Sequence, residues 1–491
     1  MTALADAPPD AERRQVASRA RTLFALWWGL AALFHLAGNP RTSIAELTAG
    51  HAAVQVAVGL TAIAVCLRPR RQAPLLLLCC LVPVSAWLEA PTVGNHWVLA
   101  AAVSLVYVLA WCVARGRRGG SDPVTATWAA FAPAARATLL AAYSFAAFAK
   151  LNTGFFDPST SCAVFFQDQI VSSWGLSGLS VGERPALGLA TALLAAAVEL
   201  SVPVLLFLRR TRRLGLLLAL GFHWSLALDL HQHFWDFSSV LFATFLLFAD
   251  EAQVNAVAAR LAALRDRVRE SVRWLLVTLG CAAAAVVTWA AATGELGPQH
   301  AVAVLLGHGA WFLLGTGTLL LVLAATLRTA SRPARHVVRT TAPVLLLVPV
   351  VVALNGLTPY LEVKTGFGWN MYSNLRTVAG ETNHLVVPRT LDLTGQQRDQ
   401  VEILATSDGD LDRLVDSGYA VVWSEFLEYA ADHPQESVTY RRAGETVEVP
   451  RIGKDPALAA DPSAVSTRVQ SFRVVDVSGG ERCLPVYSPA R

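Results

Sequence analysis

Apolar blocks of about 17–25 residues, long enough to cross a hydrocarbon core, recur along the chain at 22–38, 50–67, 73–90, 96–114, 134–150, 186–208, 214–230, 233–249, 274–293, 301–326 and 338–357. The linkers between them alternate in kind. Arg68, Arg70 and Arg71; Arg115, Arg117 and Arg118; Arg209, Arg210, Arg212 and Arg213; the Arg-rich run 260–273; and Arg328 to Arg339 all fall on one side. The other linkers, around Asn39, Asn95, Asn152, Gln232 and Gly294, are nearly free of Lys and Arg. Basic loops stay in the cytoplasm. The pattern therefore predicts an all-α polytopic membrane protein of the plasma membrane, with about 11 transmembrane helices and its N-terminus inside. The pair 214–249 is joined by the short linker Asp229 to Asp236, so a re-entrant hairpin is the alternative to two full spans there.

From Leu385 onward the pattern changes to short alternating runs, at Ser437 to Tyr440, Thr446 to Val449 and Arg468 to Val477. Leu411 to Asp416 and Ser424 to Ala431 read as helices, and Pro450, Pro456 and Pro462 as loop markers. An odd number of spans places this small α+β C-terminal domain on the exoplasmic side. Four regions follow: a disordered cytoplasmic tail at 1–21, a transmembrane domain at 22–250, additional transmembrane helices at 251–357 and the exoplasmic domain at 358–491.

Composition strengthens this picture. Of 491 residues 54% are hydrophobic and 15% charged, and the mean hydropathy is +0.45, too apolar for a soluble chain of this size. The net charge of +4 comes from scattered Arg bursts that report topology rather than a nucleic-acid surface. Only Lys150, Lys364 and Lys454 are lysine, so each is a candidate for work a guanidinium cannot do. Cys66, Cys79, Cys80, Cys112 and Cys281 fall in spans. Cys162 and Cys483 share the exoplasmic side, an oxidising compartment, so a disulfide tying the tail to the membrane domain is expected, with two free thiols as the alternative.

Ionisable groups are costly in lipid, so their positions point to function. His35, Glu89, His96, Lys150, Asn152, Asp229, His231, His233 and Asp236 gather at exoplasmic ends, while Glu199 and His223 lie within spans and each need a partner. Lys150 lies among Phe145, Phe148, Phe155 and Phe156, where burial would favour a neutral amine able to take a proton; the alternative is a lysine that snorkels to the interface. His96 could donate a proton near neutral pH or simply cap a helix. The string His231-Gln232-His233 is a poor metal motif, because alternate residues rarely converge on one ion, and no metal is expected. Phosphate loops, a nucleophile elbow and an HExxH motif are absent from the sequence. The segment Trp369 to His384, with Asn370, Asn374, Arg376, Asn383 and His384, either roofs the polar cluster, with Arg376 pairing an anionic group, or is an ordinary polar linker.

Four strings bear a family likeness: GNHWVL at 94–99, YSFAAFAKLNTGFF at 143–156, GFHWSLALDLHQHF at 221–234, and PYLEVKTGFGWNMYSNLRTVAGETNHL at 359–385. The first three resemble the vitamin K-dependent gamma-carboxylase family and its bacterial relatives, the HTTM (horizontally transferred transmembrane domain) proteins, over roughly the first 250 residues, and the fourth resembles the junction found in bacterial members of this group. The resemblance implies a carboxylase-like lyase that uses reduced menaquinone or another vitamin K-type quinol. Lys150 would be the base that deprotonates the quinol, and His96 the histidine that assists at the carbanion stage. Glu199, His223 and Asn152 would support the cofactor site. Membrane lipid, quinone and an exoplasmic protein or peptide are the partners so implied. The chain differs from the animal carboxylases in having Ala149-Lys150 for a lysine pair, Asn152 for an acidic residue, and a shorter exoplasmic domain. The alternative is a non-catalytic module that binds lipid, quinone or a partner protein.

Overall fold

The computed structural model describes residues 10–38, 49–91, 93–116, 122–263, 298–331, 336–458, 466–477 and 482–483, with a few single positions between 271 and 285. Its helices are α1 (Asp10–Gly38), α2 (Ala49–Leu67), α3 (Gln72–Glu89), α4 (Asn95–Gly116), α5 (Pro123–Phe148), α6 (Thr153–Phe156), α7 (Cys162–Ser173), α8 (Pro185–Phe207), α9 (Arg212–Leu226), α10 (Phe234–Phe245), α11 (251–263), α12 (Pro298–Arg328), α13 (Leu347–Leu357), α14 (Trp423–Asp432) and α15 (Ser466–Val469). Two compact units share the chain. One comprises Met1–Leu88, His96–Ala141 and Ser201–Val352; the other comprises Glu89–Asn95, Ala142–Leu200 and Ala353–Arg491.

In the first unit α1 is the central helix, packed by α2, α10 and α12. Its apolar face is aromatic. Phe24 meets Phe131 at 5.0 Å, Trp27 meets Phe242 at 5.2 Å, and Phe34 meets Trp235 at 5.5 Å. Aromatic pairs of this kind add about 0.5–1.5 kcal/mol each beyond their buried area. Two glycines admit the largest of these side chains. A Cβ at Gly38 would stand 2.6 Å from the Trp235 indole, and one at Gly307 would stand 2.5 Å from it. Trp235 is thus wedged between α1 and α12, which sets where the first turn of α10 begins. At the other end, Arg213 binds Asp250 at 2.7 Å and donates to the carbonyls of Thr326, Thr329 and Ala330. It ties the start of α9 to the start of α11 and satisfies orphan carbonyls at the α12 C-terminus.

The second unit ends in a five-stranded antiparallel sheet of order β6-β5-β3-β4-β7. Preceding it is a two-stranded ribbon, β1 (Thr377–Val378) with β2 (Glu381–Thr382). The sheet strands are β3 (Gln400–Thr406), β4 (Tyr419–Val422), β5 (Val438–Arg442), β6 (Glu445–Val449) and β7 (Val475–Asp476). Alternation along β3 buries Val401 and Ile403 beside Val421, Tyr440, Phe426 and Tyr429, the last two from the strongly amphipathic α14.

Six described helices are long and apolar enough to cross a membrane: Arg14–Gly38, Gly50–Leu67, Gln72–Glu89, Asn95–Gly116, Pro185–Phe207 and Ala301–Arg328. Leu193 and Leu194 on α8, and Leu305, Leu313 and Leu327 on α12, stand exposed, as a lipid-facing surface requires. A helical membrane protein with a small C-terminal sheet domain is therefore the architecture.

Several boundaries differ from those read in the sequence. Residues 10–21 are helix rather than tail, because Ala, Arg, Gln and Glu favour helix. Within them Arg19 reaches Asn255 and Arg21 reaches the Arg70 carbonyl, each at 2.6 Å. The pair 214–249 becomes α9 and α10, of 15 and 12 residues. At about 1.5 Å per residue neither covers a core of about 30 Å. The expected span 338–357 shortens likewise to Pro343–Leu357, and 274–293 lies largely outside the described residues. In the run Arg468 to Val477 only Val475–Asp476 is strand. Leu411–Leu414 is a single 3-10 turn. The compact units also cut across the linear division at 250 and 357: residues 142–200 belong with the C-terminal sheet.

Candidate functional site

Lys150 follows α5 in a turn, three residues before the short helix α6, and belongs to the second unit. Its Nζ lies 2.8 Å from Glu199 Oε2 on α8, with the two side chains only 10% and 12% exposed. Nζ also donates to the Ala146 carbonyl at 3.3 Å and stands 6.0 Å from the Phe155 ring centroid. Glu199 is thus the partner of Lys150. The lysine is buried and paired rather than extended toward an interface. A proton passed along this one hydrogen bond would leave a neutral amine beside a neutral acid.

Asn152 is held by three backbone bonds and by the side chain of Asn383, whose Nδ2 donates to Asn152 Oδ1 at 3.3 Å. Its Oδ1 accepts from Phe155 N and caps α6, while Nδ2 donates to the carbonyls of Ala149 and Ser373. An amide so engaged positions the Lys150 turn.

The segment Trp369 to His384 packs onto this same turn. Thr153 N donates to Asn383 O, and Asn374 Oδ1 accepts from Cys162 N. His384 Nε2 lies 2.9 Å from the Phe148 carbonyl, and its Nδ1 accepts from Val386 N and Val387 N. That pattern fixes the neutral tautomer with the proton on Nε2. Arg376 pairs with the exposed Glu381 at 3.8 Å, and Asn370 binds the Thr365 carbonyl. Arg376 and Asn370 thus serve the segment itself, as a polar linker does, whereas Asn374, Asn383 and His384 bind it to the residues flanking Lys150.

Burial lowers the His384 imidazole below its ordinary value, against the opposing pull of the Phe148 carbonyl. The unfolded chain therefore binds the extra proton first, and stability rises with pH. We expect the thermal stability of the detergent-solubilised protein to be full above about pH 6.5 and to fall as the pH is lowered through that value. His384→Ala should flatten the slope in a melting series from pH 7.5 to 5.5; an unchanged slope would reject this account.

Of the other lysines, Lys364 is pushed down to about 8 by burial, whereas Lys454 is exposed. Cys162 and Cys483 form a disulfide across a separation of 321 residues. Cys66 and Cys79 are buried free thiols, Cys80 and Cys112 exposed ones, and Cys281 lies outside the described residues.

The first unit holds a second polar cluster. His96, in the first turn of α4, places Nε2 at 2.9 Å from Asp236 Oδ2; His35, from α1, places Nδ1 at 3.1 Å from the same oxygen; and the two ring nitrogens lie 3.4 Å apart. The His35 ring stacks on Trp97 at 3.8 Å, and His96 meets Phe237 edge-on. His223 is one ring further away, against Phe237 and Phe245, and its carbonyl accepts from Ser238. It lines the aromatic wall rather than joining the cluster. The string His231-Gln232-His233 is a turn: Asp229 Oδ1 accepts from the backbone of His231 and Gln232, and His233 adopts a left-handed φ of 52°.

The sequence therefore marked Lys150 and His96 but assigned neither its partner. The convergence of His35 with Asp236, 201 residues apart, had no local signal beyond two ionisable groups at span ends. No protein-family model matches the chain, and neither a curated protein nor a solved structure proved similar to it.

Proposed function

We propose that the chain is an integral membrane enzyme acting on a quinol, with Lys150 as base. The supporting observation is the buried pair of Lys150 Nζ with Glu199 Oε2 at 2.8 Å. Glu199 holds the amine in place and can relieve it of a proton, while the Phe155 ring and the surrounding helices keep water away from it. A dry site suits a base that must act on a weak acid. A vitamin K-type quinol such as reduced menaquinone fits such a site because it partitions into lipid and carries acidic hydroxyls for an amine to meet. Bound there, it would supply the oxygen-dependent chemistry of a carboxylase-like lyase, and the chain would supply the base and the exclusion of water.

His96 is the second polar group that the family likeness names. Carboxylation of an exoplasmic peptide or protein is the finer form of this reading. The Cys162–Cys483 disulfide supports an extracytoplasmic C-terminal region at the plasma membrane, since disulfides persist in oxidising compartments. The same ion pair also favours a second reading, a non-catalytic module for lipid, quinone or a partner protein, in which Lys150 only closes a structural bridge.

The experiment supplies purified protein with reduced menaquinone and oxygen, and follows the epoxide by mass spectrometry. Lys150→Ala and Lys150→Arg should both lower the rate by about 10²–10⁴-fold, the usual contribution of a general base. Arginine keeps the charge but cannot lose its proton, so turnover preserved in Lys150→Arg would reject Lys150 as the base. Absence of epoxide from folded wild-type protein would reject the enzymatic reading.

A further inference from the structure

We infer that His35, His96 and Asp236 form a binding site for one divalent first-row transition-metal ion. Their three donor atoms, His35 Nδ1, His96 Nε2 and Asp236 Oδ2, make a triangle with edges of 2.9, 3.1 and 3.4 Å. Two ligands of one ion at about 2.1 Å are separated by about 3.0 Å at octahedral angles and about 3.4 Å at tetrahedral ones. The triangle has the size of one face of such a coordination shell. Two imidazoles and one carboxylate on a single face, with the remaining positions open, are a donor set suited to iron, zinc or manganese.

Hydrogen bonding alone accounts for less of the geometry. Two N–H groups converging on Oδ2 would leave Oδ1 of this buried carboxylate without a hydrogen bond among the described residues. A buried polar atom left in that state is unfavourable; a second carboxylate oxygen beside a bound cation incurs no such cost. The charge argument agrees. The ionisable groups facing Asp236 are His35 and His96, and no lysine or arginine pairs with it among the described residues. Two neutral imidazoles and a carboxylate carry one negative charge in an apolar setting, which a divalent cation would reverse and stabilise.

The donors are also held before any ion arrives. His35 is stacked on Trp97, whose indole donates to Ser85 Oγ at 3.2 Å. Asp236 follows the wedged Trp235 directly, and its own carbonyl accepts from Ser239. Rigid ligands on three different helices lower the ordering cost of coordination. The inference stands apart from the quinol proposal, although an ion bound to His96 Nε2 would make that histidine a ligand rather than a proton donor.

The test is metal analysis of full-length protein purified without chelators, together with a Co²⁺ titration followed by visible absorption. About one ion per chain and a Co²⁺ ligand-field spectrum are expected from wild type. Asp236→Asn, which preserves shape, and His96→Ala should each weaken Co²⁺ binding by about tenfold or more. His308→Ala, altering a histidine 5.9 Å from the His233 ring but outside the triangle, should leave it unchanged. Wild-type protein with neither metal nor a Co²⁺ spectrum would overturn the assignment. So would loss of binding in His308→Ala but not in Asp236→Asn. Because the readout is binding, failure here is distinguishable from failure of quinol turnover.

Discussion

Glu199→Leu should destabilise the protein by about 3–5 kcal/mol, because it strands the Lys150 ammonium in a site built for two opposite charges. The pair is 2.8 Å apart and about nine-tenths buried. The desolvation cost of each charge is offset by the other, and that of the ammonium also by the Ala146 carbonyl. Lys150→Met should cost a similar amount for the mirror-image reason. The double variant, Lys150→Met with Glu199→Leu, replaces two buried charges with apolar side chains of comparable volume and should recover most of the loss. Denaturant-unfolding midpoints of the four proteins in detergent close a double-mutant cycle. Additive losses would show that the two groups do not interact, and would remove the structural basis of the base assignment as well.

The second large effect concerns the Trp235 wedge. Trp235→Ala should lower stability by about 3–5 kcal/mol, the usual result of emptying an aromatic core position. Gly307→Ala should cost about 1–3 kcal/mol through overpacking, since the new Cβ would lie 2.5 Å from the indole. The two changes should not add. Once Trp235 is alanine, the methyl at 307 enters space the indole has vacated, so Gly307→Ala should become neutral or stabilising. Thermal denaturation of the single and double variants measures this sign reversal. If Gly307→Ala stays equally damaging without the tryptophan, the wedge does not set the α1–α10–α12 packing.

Much of the fold was legible from local pattern. Continuous apolar runs such as those in α4 and α8 have no soluble alternative, and alternation at Thr446 to Val449 marks an edge strand directly, since Glu445–Val449 is β6. Length was less legible than apolarity. The runs at 214–230 and 233–249 are apolar enough to suggest full spans, yet α9 and α10 stop at 15 and 12 residues. Asp229 and the left-handed His233 open a broad turn there, which hydropathy averaging does not register. The N-terminal boundary was missed for the converse reason. Residues 10–21 are polar, and only the partners of Arg19 and Arg21 reveal that the helix begins before the apolar run.

The candidate sites divide in the same way. That Lys150 and His96 are uncommon groups at the ends of apolar segments follows from the chain alone, because an ionisable side chain near lipid is rarely without a purpose. Asn152 looked equally promising and proved to be a helix cap; an amide's neighbours, which the sequence does not state, decide whether it serves backbone or ligand.

By itself, the order of residues determined a lipid-embedded helical body, a polar and partly β C-terminal region, and a short list of ionisable groups retained at an energetic cost. Tertiary structure alone decided how those groups were matched: lysine with Glu199, and His96 with Asp236 and His35 across separations of 140 and 61 residues. The physical reason is that hydropathy and periodicity are sums over neighbours along the chain. Charge pairing and ligand geometry act over about 3 Å in space, and only the packing of helices brings distant residues within that range.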